Sequence, residues 1–370
     1  MTKHQNDSTN PNIIVVDNSN FNMSKTIVSI ISEQTIPNFL FIKEMFIPGD
    51  TLMFISSRKM SNRIQWIKNT LGWNNVNSLD VILERDGDEE NADRMSVHIS
   101  KHLSQSNEYC VNLTGGTKFM ALVMQNLFEK FNSQFFYIPY PKNQIISVSG
   151  SSISEITQRV GVEEYLSLYG EEMKPAKNLS QSPQYTSNLL TLFIEKWKNE
   201  DFAVVDKLRK YRDDKKGCYI QSVEQKNNEE KKTRIENLKL FLDKIEFPYK
   251  DDHLERSDIQ YLTGGWFEEY VFHYIQEYVH PNDIRLGVNI KKTNNDLDVV
   301  FTLGNKLFVI ECKTGVEREM MLKEIVYKAS ALKSELLGLS AKSYIFALSE
   351  GNERWETAAL NMGIKYCGRS

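Results

Sequence analysis

The stretch Asn294–Gly315 reads NNDLDVVFTLGNKLFVIECKTG. It contains two apolar runs, Leu297–Phe301 and Leu307–Ile310, on either side of the tetrapeptide Leu-Gly-Asn-Lys. Valine, isoleucine and phenylalanine are typical of β-strands, and Gly-Asn is typical of a tight connection between antiparallel strands. The stretch therefore predicts a β-hairpin.

Three charged side chains lie on the predicted hairpin. Asp298 stands early in the first strand, and Glu311 and Lys313 stand at the end of the second. Because side chains alternate between the two faces of a strand, Glu311 and Lys313 share a face, and Asp298 can approach Glu311 across the pair. Carboxylate oxygens are natural ligands of Mg²⁺ or Mn²⁺, and a neighbouring lysine can stabilise the charge that develops on a phosphate during cleavage.

An acidic residue two positions before a lysine is by itself a weak signal. The chain has the same spacing at Glu172-x-Lys174 and Glu229-x-Lys231, in polar stretches that are typical of solvated surface. The strand of Glu311 is apolar enough to be buried, and charged groups seldom enter such a place without a partner or a metal ion. This context indicates either a metal site or a structural ion pair.

A helix is predicted upstream of the hairpin, in the stretch Thr263–Ile275, which reads TGGWFEEYVFHYI. Apolar residues recur there at i, i+4, i+7 and i+8, which is the pattern of one face of an amphipathic helix. Glu268 neighbours this apolar stripe and can therefore face the hairpin. The residues of the stripe are Phe267, Val271, Tyr274 and Ile275.

The order helix, strand, Asp-bearing strand, Glu-x-Lys strand, helix, strand over Asp258–Ser370 resembles the PD-(D/E)XK nuclease superfamily. The Gly-x-Phe-Glu start of the helix is similar to its restriction-endonuclease-like members. The resemblance implies a nuclease in which Asp298 and Glu311 hold Mg²⁺ or Mn²⁺. It also implies Lys313 as the catalytic lysine and Glu268 as an accessory acid. The chain departs from the family pattern in having no proline directly before Asp298.

Length and composition limit the classes of protein to consider. With 370 residues, of which 41% are hydrophobic and 25% charged, the chain is long enough for two globular domains with separate cores. The formal net charge of −4 gives no global basic signature, so any contact with nucleic acid must be local. This charge counts against a constitutive, high-affinity nucleic-acid binder.

The compartment is predicted from what the sequence lacks. The four cysteines are widely spaced and show no zinc-binding pattern, which favours reduced thiols in a cytosolic protein. No apolar run approaches the length of a membrane span, and the polar, asparagine-rich start is not typical of a signal peptide. We therefore expect a cytoplasmic protein with no membrane partner, in which residues 1–24 form a flexible extension.

Strands and helices alternate through residues 25–150, which predicts a mostly parallel, doubly wound sheet. Ligands bind such sheets at the carboxyl ends of the strands, close to the switch in strand order. Two predicted loops lie at strand ends, Ser32–Asn38 after the first strand and Thr114–Lys118 after the fourth. Asn38 is the expected N-cap of a helix at Phe39–Phe46.

The loop Thr114–Lys118 reads TGGTK and has the chemistry of a phosphate site. Its paired glycines let the backbone come close to a ligand, Thr117 can cap the following helix, and Lys118 adds a positive charge. The spacing matches neither a Walker loop nor Gly-x-Gly-x-x-Gly. The alternative is a well-capped turn that binds nothing.

A strand followed by Thr-Gly-Gly-Thr-Lys and a helix, with Ser-Glu-Gln-Thr-Ile-Pro-Asn after the first strand, resembles the CRISPR-associated Rossmann fold, or CARF, domain. With the nuclease-like segment, the chain resembles the branch in which this domain is fused to a PD-(D/E)XK nuclease. The resemblance implies a homodimer that binds a cyclic oligoadenylate, in particular cyclic tetra-adenylate, and is thereby activated. The residues that it assigns to this ligand are Ser32, Glu33, Gln34, Thr35, Pro37, Asn38, Thr114, Gly115, Gly116, Thr117 and Lys118, and position alone adds Ser57 and Arg58.

The predicted architecture is α/β, with a Rossmann-like CARF sensor at 25–150, a helical connector at 151–257 and a restriction-endonuclease-like domain at 258–370. A helix is expected at Glu319–Leu336. The expected activity is cleavage of DNA or RNA in type III CRISPR defence, dependent on metal and activated by the cyclic oligoadenylate. Two other functions stay open: a ring nuclease that degrades the cyclic nucleotide, and a non-enzymatic, nucleotide-responsive regulator that binds DNA.

Overall fold

The computed structural model describes residues 24–84, 87–150, 152–196, 205, 207–224, 238–291, 295–314, 341–350 and 353–369. The chain forms two compact units, Met1–Glu171 and Glu172–Ser370. Of the predicted extension at 1–24, only Ser24 is among the described residues, and the predicted helix at Glu319–Leu336 lies outside them.

The described part of the first unit is built on one sheet with helices between its strands. The strands are β1 (Thr26–Ile30), β2 (Thr51–Ser57), β3 (Asn77–Leu83), β4 (Glu108–Asn112), β5 (Asn132–Tyr137), β6 (Gln144–Ser147) and β7 (Ile153–Glu155). The helices are α1 (Ile36–Met45), α2 (Asn62–Leu71), α3 (Ala92–Ser100), α4 (Lys118–Phe128) and α5 (Val162–Ser167).

The strand order in this sheet is β3-β2-β1-β4-β5-β6-β7. Strands β1 to β5 pair in parallel, and β6 and β7 extend the sheet in antiparallel fashion. The predicted doubly wound, mostly parallel sheet is thereby confirmed. The order reverses between β1 and β4, and open α/β sheets bind their ligands beside such a reversal.

Helices α3 and α4 close one face of the sheet. In α4, Met120, Met124 and Leu127 follow helical spacing, and all three are buried. They share a hydrophobic cluster with Val28 of β1 and Val111 of β4. Because β1 and β4 are anchored in this core, the loops at their carboxyl ends start from a firmly packed base.

The start of α1 differs from the prediction. The helix begins at Ile36, and its N-cap position is held by Thr35, so Asn38 is not the N-cap. Pro37 lies in the first turn, where a helix tolerates a residue without an N–H group. Asn38 is buried within the helix, where its side chain is available for bonds to the sheet.

The described part of the second unit contains a larger sheet, a two-stranded ribbon and four α-helices. The strands are β8 (Cys218–Tyr219), β9 (His253–Leu254), β10 (Asp283–Ile290), β11 (Asn295–Leu303), β12 (Lys306–Lys313), β13 (Lys342–Glu350) and β14 (Ile364–Arg369). The helices are α6 (Pro183–Lys196), α7 (Arg256–Gln260), α8 (Trp266–Tyr278) and α9 (Glu353–Asn361).

The larger sheet has the order β10-β11-β12-β13-β14. Strands β10, β11 and β12 form an antiparallel meander, and β13 and β14 continue it in parallel. Helix α8 packs on one face through the predicted stripe, in which Phe267, Val271 and Ile275 are buried. Tyr274 departs from the prediction because it is 46% exposed, so the buried stripe is narrower than expected.

The predicted connector at 151–257 divides between the two units. Its described residues up to Glu171 belong to the first unit, and those from Glu172 onward belong to the second. The segment from Glu172 runs along the edge of β10, where the Lys177 N–H donates to the Leu286 carbonyl at 2.9 Å. Helix α6 joins the core of the second unit, since the ring of Phe193 stacks on that of Trp266 with centroids 4.6 Å apart.

The remaining expectations concern thiols and membranes. Cys110, Cys218, Cys312 and Cys367 are all free. Burial raises the pKa of Cys110 to about 11, so this thiol is poorly reactive. Within the described ranges, no helix is long and apolar enough to cross a bilayer.

Candidate functional site

The β11–β12 hairpin positions the predicted catalytic residues. Its turn, Gly304–Asn305, has φ values of 56° and 62°, as a type I′ turn requires. The register pairs Val299 with Ile310, so the preceding Asp298 and the following Glu311 approach each other across the two strands. The hairpin is thus confirmed, and its register matters because a slip by one residue would send these carboxylates to opposite faces.

Lys313 lies within ion-pair distance of both carboxylates. Its Nζ is 2.7 Å from Glu311 Oε1 and 3.7 Å from Asp298 Oδ2. The Cys312 N–H donates to Asp298 Oδ2 at 2.7 Å, so the backbone of β12 also holds this carboxylate. The side chains of Asp298, Glu311 and Lys313 are 14%, 13% and 25% exposed, respectively. The structure therefore brings these three predicted residues together in a partly buried cluster.

Burial and crowding change the acid–base properties of this cluster. Burial, together with the nearby carboxylates of Glu311 and Glu268, raises the pKa of Asp298 to about 7. Burial by itself lowers the pKa of Lys313, but the carboxylates of Asp298 and Glu311 outweigh it and raise that pKa. Lys313 therefore stays protonated and positively charged at neutral pH. A carboxylate with so strongly raised a pKa is a frequent mark of a functional site.

Glu268 lies in the first turn of α8 and is close enough to raise the pKa of Asp298. Its Oε2 is 3.5 Å from Nζ of Lys177, a residue that the sequence analysis did not single out. Lys177 crosses β10 at Gly287, where an added Cβ would lie 2.4 Å from the lysine Cδ. Gly287 therefore leaves the path that the lysine needs to reach Glu268.

Glu269, also on α8, was likewise missed by the sequence analysis. Its buried carboxylate accepts hydrogen bonds from the Ser180 N–H at 2.5 Å and the Gln181 N–H at 3.1 Å. His273 Nε2 lies 3.1 Å from the Gln181 carbonyl oxygen. These bonds fasten the segment that carries Lys177 to α8, and thus keep its ammonium group beside the acidic cluster.

The carboxylates of Asp298 and Glu311 fit a hard divalent cation by the chemistry of their oxygens. Nowhere in the described residues do three or more His, Cys, Asp or Glu side chains form a group that could hold an ion. Among the described residues, a cation at this site would therefore have the carboxylates of Asp298 and Glu311 as its side-chain ligands. Mg²⁺ is commonly held by one or two carboxylates, with waters and substrate phosphates completing the shell. The raised pKa of Asp298 agrees with this fit, because a cation would relieve the crowding of negative charge.

The two predicted ligand loops follow β1 and β4, which are neighbours at the reversal of strand order. Gly115 rests against the end of β1, where an added Cβ would lie 1.8 Å from the Ile30 carbonyl oxygen. Gly116 has a φ of 72°, and its added Cβ would lie 2.6 Å from Ile30 Cγ2. Both positions therefore require glycine, and the loop backbone lies directly against the strand.

Two buried asparagines tie these loops to the sheet. Asn38 Nδ2 donates to the Ile30 carbonyl at 3.0 Å, and Asn112 Nδ2 donates to Asn38 Oδ1 at 2.9 Å. Asn112 Oδ1 in turn accepts from the Thr114 N–H at 3.0 Å. Asn112 was not among the predicted site residues, although a polar residue at the end of an apolar strand is a usable signal. Asn38 belongs to the same framework under the loops.

The structure divides the predicted ligand-binding residues by depth. Thr35, Pro37, Asn38 and Gly115 are buried, so they shape the loops from beneath. The Thr35 hydroxyl, for example, donates to the Leu168 carbonyl at 2.6 Å. The half-buried or exposed residues are Ser32, Glu33, Gln34, Ser57, Arg58, Thr114, Gly116, Thr117 and Lys118.

Helix α4 begins at the end of the second loop, Thr114–Lys118. Thr117 Oγ1 accepts from the Met120 N–H at 3.1 Å, which confirms the predicted cap. Lys118 is the first residue of the helix and is exposed. The Thr114 hydroxyl oxygen accepts from the Ile138 N–H at 2.7 Å and fixes the start of the loop. The loop thus presents a glycine backbone, a helix N-terminus and an ammonium group, which together favour an anion.

Two protein-family models match the chain, one on each side of the middle. The family "Card1 CARF domain" matches residues 26–165, which include both ligand loops. The family "Card1-like, endonuclease domain" matches residues 255–369, which include the hairpin cluster and Glu268. None of the curated proteins matches the chain.

Several solved structures share the fold. Can2 from Sulfobacillus thermosulfidooxidans, solved with cyclic tetra-adenylate, has a TM-score of 0.71 at 20% identity over 93% of this chain and 95% of its own. Protein VC1899 from Vibrio cholerae has a TM-score of 0.72 at 17% identity over 93% and 94%. A type III CRISPR defence DNA nuclease activated by cyclic oligoadenylate has a TM-score of 0.56 at 15% identity, over 89% of this chain and 46% of its own.

At these identities the solved structures support the fold, and the family models identify the domains. The two matched segments together take in well over half of the chain. They also agree with the two folding units that the contacts define. The chain therefore belongs to the family in which a Card1 CARF domain is joined to a Card1-like endonuclease domain.

Proposed function

We propose that this protein is a metal-dependent nuclease, switched on by a cyclic oligoadenylate, that cleaves DNA, RNA or both in type III CRISPR defence. The observation that carries the proposal is the meeting of Asp298, Glu311 and Lys313 on the β11–β12 hairpin. The matches to a CARF domain and to an endonuclease domain support the combination of a sensor and a nuclease in one chain.

Asp298 and Glu311 would hold Mg²⁺ or Mn²⁺, which supplies positive charge for activating a water and polarising a phosphoryl oxygen. Lys313 carries its own positive charge beside both carboxylates, and it stabilises the negative charge that builds up on the scissile phosphate. Glu268 is the acid on the α8 side of the cluster, and it accepts a proton from the attacking water. Lys177 keeps that carboxylate oriented through its ion pair.

The proposed activator is cyclic tetra-adenylate. The loop at Thr114–Lys118 offers backbone N–H groups, the N-terminus of α4 and the Lys118 ammonium group, all of which suit the phosphates of such a ring. Can2, which shares the fold, was solved in complex with this molecule. We place the ring on the axis of a homodimer, where two copies of the loop would bind its symmetric halves.

The proposal is tested by a cleavage assay on the full chain. Single-stranded DNA, single-stranded RNA and supercoiled plasmid are each incubated with Mn²⁺, with and without cyclic tetra-adenylate, and EDTA is added to matched samples. Cleavage that requires both the metal and the activator is the expected result. The substrate that is cut then identifies the class of nucleic acid.

Other outcomes separate the alternatives. Metal-dependent cleavage without the activator would support the metal site and contradict activation by the cyclic oligoadenylate. Absence of cleavage while the activator is bound would overturn the nuclease and favour a non-enzymatic regulator. Labelled activator that is degraded in the same samples, with every nucleic acid left intact, would favour a ring nuclease.

A further inference from the structure

The second unit contains a strongly basic segment, Lys207–Lys216, which reads KLRKYRDDKK. It has six cationic and two acidic side chains, whereas the chain as a whole has a net charge of −4. The two acids have cationic or backbone partners nearby, since Asp213 lies 3.9 Å from an Arg256 nitrogen and Asp214 accepts from the Lys216 N–H. The segment is therefore a local concentration of positive charge, which the overall composition conceals.

Arg209 brings this charge to the edge of the catalytic cluster. Its Nη2 donates to Thr314 Oγ1 at 3.0 Å, and Thr314 directly follows Lys313 in the chain. The Thr314 hydroxyl in turn donates to the Thr263 carbonyl at 3.1 Å, in the π-helical turn that leads into α8. One guanidinium group is thus fixed beside the end of β12 and the start of the helix that carries Glu268.

Arg212 lies over the same turn. Its Nη2 is 3.9 Å from the position that a Cβ on Gly264 would take, and its side chain is exposed. Arg209 begins the short 3₁₀ helix Arg209–Tyr211, and Arg212 follows it. This helix is firmly held, because Leu208 is fully buried and the Tyr211 hydroxyl donates to the Ser222 carbonyl at 2.8 Å. The arginines therefore project from a fixed support and not from a loose loop.

A nucleic acid needs such cations at this place. The catalytic cluster has three carboxylates, Glu268, Asp298 and Glu311, which repel the phosphates on either side of the cleaved bond. Arginine offers planar, paired donors that match phosphate oxygens, and a guanidinium already oriented by a hydrogen bond loses less freedom when it binds. Lysines spread over a surface would give a weaker and less directed attraction.

We infer that Arg209 and Arg212 form a binding site for the backbone phosphates of the nucleic-acid strand, next to the phosphate that is cleaved. This inference rests on the proposed function, because the site has this role only if the hairpin cluster cleaves a phosphodiester. The site contacts the backbone and not the bases, so it serves any base sequence.

The inference is tested by binding in the full-length Glu311→Gln protein, which holds the substrate without cutting it. Labelled single-stranded DNA and RNA oligonucleotides are titrated over a series of salt concentrations. Two single variants, Arg212→Ala and Arg209→Gln, are each expected to weaken binding of the oligonucleotide about tenfold. Each is also expected to reduce the slope of log affinity against log salt by about one. In Arg209→Gln the Thr314 hydroxyl keeps its bond to the Thr263 carbonyl, and Arg212 is exposed, so neither change should unfold the protein.

The matched control is Lys306→Ala, which removes a positive charge at the other end of β12 from Lys313. It should leave affinity and salt slope unchanged. If the arginine variants bind with the same affinity and salt slope as the Glu311→Gln protein, the inferred phosphate site is wrong, but the proposed nuclease activity is unaffected. If the wild-type protein cuts no nucleic acid in the cleavage assay, the proposed function and this inference are both wrong.

Discussion

At the residue scale, the cluster on the hairpin brings one lysine close to several carboxylates. Lys313 lies near two carboxylates, and one of them, Asp298, has a pKa raised to about 7 by burial and its acidic neighbours. A purely structural ion pair would have no need for a third acid, yet Glu268 also approaches Asp298. The excess of negative charge is understandable if the cluster has to receive a cation.

Replacing Glu311 by glutamine should abolish cleavage and leave activator binding intact. The amide keeps the shape of the side chain but is a much weaker ligand for a divalent cation. The rate should fall by more than about 100-fold, since even residues that only orient metal ligands are worth 10 to 100-fold. Cleavage of the assay's preferred substrate and the affinity for cyclic tetra-adenylate are measured on the same sample. Glu353→Gln, at an exposed position on α9, is the control, and wild-type rates for Glu311→Gln would remove Glu311 from the site.

Asp298 should make the metal-free protein less stable as pH rises. Its pKa is about 7 in the folded protein and near 3.8 in an unfolded chain, so the folded state binds the additional proton between those values. The contribution of this residue to stability is complete below pH 3.8 and is lost as pH rises through about 7.

Thermal unfolding in EDTA over this pH range checks the effect. Asp298→Asn has no proton to lose, so its stability should depend less on pH than that of the parent. The exposed Asp296 on the same strand provides the control, and Asp296→Asn should retain the parent's dependence. Identical pH profiles for Asp298→Asn and the parent would show that Asp298 does not carry this proton.

At the element scale, local chemistry made the main features predictable. The Gly-Asn turn and the alternation of faces were enough to predict the hairpin and the shared face of Glu311 and Lys313, because neighbouring residues decide both. Thr117 was predicted as a cap for the same reason. The start of α1 was misplaced because Pro37 was interpreted as part of a loop, although proline is well suited to the first turn of a helix.

The residues that the sequence analysis missed act through contacts between distant parts of the chain. Lys177 pairs with Glu268, and Glu269 accepts from the Ser180 and Gln181 N–H groups; both contacts form only after the segment beside β10 has folded against α8. Arg209 was not singled out from the sequence, yet it donates to Thr314, which directly follows the predicted catalytic residue Lys313. No periodicity or spacing encodes such contacts.

The loop after β4 depends on the absence of a side chain at Gly115. An alanine there would place its Cβ 1.8 Å from the Ile30 carbonyl oxygen, so either the loop or the end of β1 would have to move. We expect Gly115→Ala to destabilise the first unit by about 1–3 kcal/mol and to lower its affinity for the activator. Thermal unfolding and activator titration are the measurements.

Gly150 is the control for this loop, because its added Cβ would meet only the Ser147 hydroxyl, at 3.3 Å. Gly150→Ala should bind the activator as the parent does. If Gly115→Ala also bound it normally, the close approach of this loop to β1 would not be needed for the ligand.

At the scale of the whole molecule, two units with separate sheets divide the proposed work. The residues predicted to bind the activator all precede Glu171, and the predicted catalytic residues all follow Glu172. The chain leaves the first unit and passes at once into the segment that pairs with β10 and carries Lys177. The proposed activation would therefore require that binding in one unit change the energy of the other, which is a coupling that can be measured.

Lys118→Ala should separate sensing from cleavage. The lysine supplies charge at the N-terminus of α4 but has no part in the hairpin cluster, so its loss weakens activator binding and spares the chemistry. The activator concentration for half-maximal cleavage should rise about tenfold, while the rate at saturating activator stays the same. A titration of cleavage against cyclic tetra-adenylate gives both quantities.

The control is Lys130→Ala, at an exposed position just past the other end of α4, which should leave both quantities unchanged. A fall in the saturated rate of Lys118→Ala, with unaltered activator affinity, would mean that Lys118 transmits the signal and does not bind the ring.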